Sequence, residues 1–475
     1  MGDRDAVLKK CALVGVLGLV LLLAGALYYY KERMLFGDAP YIVFHIINDG
    51  KLYIQELRFG SVITQAVPLI LSKLHAPLKT ILLAYSASFD VFFLVVALML
   101  IRVYRQYGFA ILLSLYGFLL VSQTYFWTNN EIHQAVAWMF LFLATTIHLA
   151  KRNVNFAIQL SVFVLLGSTT VFTHILVMLP CLFLWGYLIL EKSNWPFGRR
   201  RTIVLSAVLA LIILAKLLLS MKQPYDGPRL HDPTHFSLHD ILNTFGNIAI
   251  IRFLQRCITN YWIAIPLYAA GLYALSKRKE KKLIWWTLVC TLGYIVAMKL
   301  AFGGFGDMSL FYIESEWAAL SIVLACAFVY ALLPRLKPYQ AILLLLVVFF
   351  TRSLYIVNSA ALFRDRTTFK ERVLQQMERQ SINKLVINDT AARNTYLISW
   401  SLPDESVLLS ALEGNKPQRA FLFADDNIAE KLAEAGNAKM IDCYSVNPPG
   451  TVNVVYFALD TITPYKVMTT KELFK

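Results

Sequence analysis

Eleven runs of roughly 20 mostly apolar residues follow one another along this chain, near 11–30, 80–101, 108–127, 134–150, 155–173, 175–190, 202–221, 257–276, 283–302, 317–334 and 339–357. A helix needs about 20 such residues to cross the hydrocarbon core of a bilayer, so a train of them commits the chain to lipid. Only 16% of the 475 residues are charged and 58% are hydrophobic, against about 25% charged in a soluble domain. The first run follows Lys9-Lys10 and contains Ala24-Gly25-Ala26, as a cleaved leader does. It continues to Tyr30 and is read as an uncleaved span. The predicted fold class is therefore mainly α, a polytopic bundle of about 11 spans over residues 1–358, followed by a small soluble α/β domain at 359–475.

The net charge of +15 lies entirely in the hydrophobic part. From Ser359 onward 14 basic residues balance 14 acidic ones, which leaves 31 basic and 16 acidic residues before it. A nucleic-acid surface would gather such an excess on one soluble face, whereas here it is scattered between spans, and nucleic acid is not an expected partner. With the N-terminus placed inside, the inner connections 1–10, 102–107, 151–154, 191–201, 277–282 and 335–338 hold 18 basic and four acidic residues. The opposite loops hold ten and eleven. Positive charge marks the cytoplasmic side, so eleven spans put the tail outside, extracytoplasmic (in the periplasm if the cell is Gram-negative), with the chain in the inner (plasma) membrane. Five of six cysteines lie in or beside apolar runs, which speaks against a disulfide framework, and no CxxC metal spacing occurs.

The outer loops at 31–79 and 222–256 are long, the inner ones all short, and function gathers on long polar loops over a rigid scaffold. The first opens Phe36-Gly37-Asp38-Ala39-Pro40-Tyr41, continues through an amphipathic stretch from Tyr41 to Ile47 suited to the interface, and closes with Arg58-Phe59-Gly60 and Gln65-Ala66-Val67-Pro68. An acid just beyond the first span, an aromatic after it and an interfacial helix before a proline-marked span resemble the GT-C superfamily of polytopic glycosyltransferases, of the aminoarabinose and O-mannosyltransferase type. The resemblance implies transfer of a sugar from a polyprenyl-phosphate-linked donor to a glycan, lipid or protein acceptor on the extracytoplasmic face. It makes Asp38 the catalytic carboxylate, a base for the acceptor proton. Asp38 is equally placed to cap the helix that follows it. Many relatives carry Asp-Glu where this chain has Asp38-Ala39, so a second acid is sought in the next outer loop, where Glu131 and His133 stand. His174, between paired spans, resembles a histidine that contacts donor phosphate or metal, and a divalent metal ion is admitted on that ground alone.

Charges within spans default to function. Lys216, Lys299 and Arg352, near the outer ends of three spans, suit a lipid phosphate, as does Arg58, with headgroup snorkelling as the simpler account. Tyr312, Glu314 and Glu316 are placed to contact donor sugar or acceptor, and Asp90 in the second span receives no role. His231, His235 and His239 sit at four-residue spacing, but Pro233 breaks the helix that a metal face would need. The tail alternates helix (367–380, 404–412, 427–435) with strand (384–388, 419–424, 439–444, 452–458). Two other functions stay open: a transporter or lipid flippase, which needs broken helices or repeats, and a non-catalytic assembly or sensor protein with the tail as its working part.

Overall fold

The computed structural model describes residues 3–129, 131–191, 195–223, 227, 243–302, 309–424, 428–436, 440–441, 446–447, 453–460 and 462–475. From the N-terminus come α1 (Asp3–Tyr28), the short α2 (Tyr30–Met34), α3 (Asp38–Asp49) and α4 (Val62–Lys73). Then follow α5 (Leu78–Arg102), α6 (Tyr107–Tyr116), α7 (Glu131–Lys151), α8 (Phe156–Thr173), α9 (Met178–Glu191) and α10 (Arg199–Ser220). Beyond them lie helices at Ile248–Thr259, Ala264–Lys277, Lys281–Phe302, Leu310–Trp317, Leu320–Ala327 and Pro338–Arg379.

Among the described residues seven helices are long and apolar enough to cross a membrane: α1, α5, α7, α8, α10, Lys281–Phe302 and Pro338–Arg379. They coincide with seven of the eleven runs. The other four runs form shorter or broken helices. The run at 108–127 is helical only to Tyr116, and that at 175–190 opens with a single 3₁₀ turn before α9. The run at 257–276 breaks between Thr259 and Ala264. The run at 317–334 belongs to a pair, Leu310–Trp317 and Leu320–Arg335, bent by 56°, which raises the count to eight if taken as one span. The expected paired spans at 155–190 do turn at Thr173 and His174.

Burial sorts these helices into centre and periphery. In the most apolar window of α7, 72% of residues are buried within the protein, against 28% in α10 and in Lys281–Phe302. A helix apolar all round with most of that surface turned outward, as at Leu211, Leu214, Leu218, Trp285 and Val289, is matched to lipid. All of α6 is buried, packed against α1, α5 and α7.

The chain passes residue 359 in the middle of one helix: Pro338–Arg379 spans 42 residues, about 63 Å at 1.5 Å each, twice the hydrocarbon thickness. After it, β1 (Lys384–Ile387) lies between β2 (Ala420–Phe423) and, through a crossover, the strand at Lys466–Met468, all parallel. Met440–Ile441 and Val446–Asn447 form a separate antiparallel pair. The strand expected at 452–458 is a turn from Asn453 onward among its described residues, and the Lys466–Met468 strand was not expected. The tail shares its core with the first long loop, since Met34, Val43, Phe44 and Ile47 pack with Val373, Leu408, Phe421 and Phe457. That corrects one expectation. The apolar face of α3 expected to rest in the membrane interface is covered by the tail instead, every residue from Tyr41 to Ile47 except His45 being buried.

Candidate active site around Asp38

Asp38 opens α3 after Gly37, whose φ of +63° is the left-handed conformation glycine tolerates. A Cβ at Gly37 would also come to 3.1 Å of the Trp127 ring, so any other residue here would press the indole back by a few tenths of an ångström. The Asp38 side chain does not cap its helix. Instead its Oδ2 accepts the Trp127 indole N–H at 2.7 Å. The residue as a whole keeps some exposure, but burial of its carboxyl is the main force pushing the pKa up, to about 7. The Glu131 charge adds to the rise, while the Trp127 hydrogen bond and Arg58 oppose it.

Glu131 begins α7, where a negative charge faces the positive end of the helix dipole. Arg58 donates to its Oε2 at 2.7 Å, both side chains being largely buried. Arg58 is aimed there by an unusual backbone. Glu56 and Leu57 are consecutive non-glycine residues at φ +49° and +59°, each costing on the order of 1–3 kcal/mol. Lys216 helps to hold that bend, donating to the Glu56 carbonyl at 3.0 Å. The loop then closes on α7 and α8. Thr64 donates to Gln134 at 3.2 Å and Trp138 to the Gly60 carbonyl at 3.2 Å. A Cβ at Gly60 would stand 1.8 Å from Thr173 Oγ1, so this approach requires glycine.

The remaining predicted residues divide between the site and its support. Tyr312 belongs to the site region, with its ring edge-on to Trp127 at 5.2 Å. Asn129, two residues before Glu131, donates to the Tyr85 hydroxyl at 2.9 Å. His133 shares a 2.7 Å hydrogen bond with the Tyr116 hydroxyl instead of facing Asp38. His174 caps the turn that starts α9's approach, its Nδ1 accepting from the Leu176 amide at 3.3 Å. Lys216 and Arg352 are not lipid-facing cations. Lys216 is buried against the loop, and Arg352 is fully buried, its guanidinium donating to the carbonyls of Phe118, Val121 and Asn260. Lys299 and Glu316 are also buried, and the Glu316 carbonyl accepts the Tyr294 hydroxyl at 2.7 Å. Glu314 is spent on backbone and hydroxyl donors. His231, His235 and His239 lie outside the described residues.

Trp127 was missed at the sequence level, as was Arg33. The latter pairs with Asp90 at 2.8 Å and lies over the Tyr125 ring at 4.3 Å, beside a cavity of about 60 Å³ lined also by His133 and Thr128. Asp90 therefore serves as a counter-ion. Among the described residues no three His, Cys, Asp or Glu side chains converge as a protein-held metal site would need.

Comparison of the chain with protein-family models, with curated proteins and with solved structures finds no match.

Proposed function

We propose that this chain is a membrane glycosyltransferase, moving a sugar from a polyprenyl-phosphate-linked donor to a glycan, lipid or protein acceptor at the extracytoplasmic end of the bundle. The reading rests on Asp38. A base is most effective when its pKa lies near the working pH, and this carboxyl, held up to about 7, meets that condition. The residue keeps part of its surface exposed, within reach of an acceptor hydroxyl or amine, while Trp127 fixes Oδ2. As the acceptor attacks the anomeric carbon, Asp38 takes its proton and the bond to the donor phosphate breaks, the phosphate leaving with the lipid. Arg58, whose charge acts on that carboxyl, offers a counter-charge for the leaving phosphate when it swings from Glu131.

The experiment exchanges Asp38→Asn and compares envelope glycans and lipids by mass spectrometry from cells making either form. Transfer should fall by about 100-fold or more at unchanged membrane abundance. Retained transfer removes Asp38 from the mechanism. A transporter or lipid flippase draws support from one observation, the 56° break before Leu320 with buried Glu314 beside it, since transporters bind at broken helices. Substrate uptake by proteoliposomes lacking any lipid-linked donor would favour that reading over transfer.

A further inference from the structure

Glu314 is 1% exposed, and its carboxylate accepts five hydrogen bonds. The donors are the amides of Ser122 (2.8 Å) and Thr124 (2.7 Å), the Ser122 hydroxyl, the Thr124 hydroxyl (3.0 Å) and the Tyr261 hydroxyl (2.8 Å). A carboxylate offers about four lone-pair positions, so this one has nothing left for a substrate. Four of the five donors belong to the stretch that carries Trp127. Thr124 opens the single 3₁₀ turn Thr124–Phe126, and the Trp127 amide closes it on the Thr124 carbonyl at 3.0 Å. Arg352 holds the same stretch by its opposite poles, the carbonyls of Phe118 (2.9 Å) and Val121 (2.8 Å). The helix bearing Glu314 also walls the indole. Phe311 and Tyr312 meet the Trp127 ring edge-on at 5.1 and 5.2 Å, opposite Gly37.

We propose that Glu314 is a positioning residue for Asp38, anchoring the 117–127 segment so that the Trp127 indole N–H stays on the Asp38 carboxylate. Its importance to catalysis rests on the reading of Asp38 as the base, but the contact itself does not. The charges that act on Asp38 directly are Glu131 on α7 and Arg58 on the first loop. Tyr85 on α5 feels the Asp38 charge as well, and among the described residues His45 and Asp49 lie further along α3 while Arg366, Lys370 and Glu405 meet at the Leu35 carbonyl, three residues before Asp38. Glu314 reaches Asp38 through Trp127.

The test reads Asp38 itself. Full-length protein in lipid nanodiscs is treated with a hydrophobic carbodiimide, which attacks protonated carboxyls, across pH 5 to 9, and peptide mass spectrometry quantifies the Asp38 adduct. The wild type should be half-labelled near pH 7. Trp127→Phe removes only the bond that favours the carboxylate, so its midpoint should rise, on the order of one pH unit. Glu314→Gln should raise it as well, because the amide gives up the charge that binds all five donors and must turn its NH₂ either on the two backbone amides, which share one carboxylate oxygen, or on the Ser122 and Tyr261 hydroxyls, and the double variant should rise no further than Trp127→Phe alone. A midpoint unmoved by Glu314→Gln or by Trp127→Phe, or shifts that add in the double variant, would overturn the proposal. If Glu314→Gln fails to fold, Ser122→Ala/Thr124→Val keeps both backbone bonds and decides the matter: a smaller rise supports the proposal and no rise defeats it. No sugar transfer is measured, so failure of the transferase reading would leave this result standing.

Discussion

At Asp38 two opposing influences meet within a few ångströms. Burial and the Glu131 charge disfavour the ionised form, and Trp127 with Arg58 favours it. The Arg58–Glu131 pair at 2.7 Å ties two of these together, so neither can change without the other. Removing the Glu131 charge takes away a like charge and frees Arg58 to act on Asp38 alone, and both changes favour the carboxylate. Glu131→Gln is therefore expected to lower the carbodiimide midpoint of Asp38 from about 7, on the order of one pH unit, and Arg58→Met to raise it. Midpoints moving the other way would show that the pair acts as a neutral unit and that burial alone sets the proton affinity. Asp38 and Glu131 were legible from sequence because an acid beside a span is conspicuous. Trp127 was not, because an indole in an apolar run is indistinguishable from core until the fold brings a carboxylate to it.

Among elements, the run at 108–127 shows where hydropathy misleads. It is apolar enough for a span, yet the helix stops at Tyr116, because the amides of Ser122 and Thr124 are taken by Glu314 and the carbonyls of Phe118 and Val121 by Arg352. Those partners lie some 190 to 230 residues away, and no local pattern announces them. The Pro338–Arg379 helix ties that arrangement to the tail. Arg352 grips the 117–127 segment. Fourteen residues on, nearly four turns and almost in phase, Arg366 joins Lys370 on Glu405 and on the Leu35 carbonyl. Burial alone would raise the Glu405 carboxyl, but the two cations overcome it and hold it below the ordinary range. One alanine inserted between Val357 and Asn358 would turn the two ends by 100° relative to each other. Removing one partner from a buried ion pair costs about 3–5 kcal/mol, and thermal unfolding of the solubilised protein should show a loss of that size. An unchanged midpoint would mean the two ends are not mechanically coupled.

For the whole molecule, the question is which compartment holds the site, and counting spans is a poor way to answer it. Seven and eleven crossings are odd and eight is even, so whether the bent pair counts as a span moves the tail from one side to the other. The contacts do not depend on it. Asn453 binds Asn48 and the Ile47 carbonyl at 2.9 and 3.0 Å, and Tyr456 binds the carbonyls of Ser72 and Ala76 at 3.1 and 3.0 Å. Lys31 meets Glu371 at 3.2 Å. Tail, first loop and Asp38 therefore share one end of the bundle. Charge bias then selects the compartment for that end, because exposed Arg199-Arg200-Arg201 and the Lys277–Lys282 cluster stand in the connections read as cytoplasmic. Val454 and Lys279 are both exposed and lie in the two opposed sets. In a version lacking the native cysteines, Val454→Cys should react with a membrane-impermeant maleimide in intact spheroplasts, and Lys279→Cys only after permeabilisation. The reverse pattern would place Asp38 in the cytoplasm, where a donor need not cross the bilayer before it is used. Labelling of both from outside would break the link between charge and side, and with it the argument that an extracytoplasmic acceptor meets the Asp38 base.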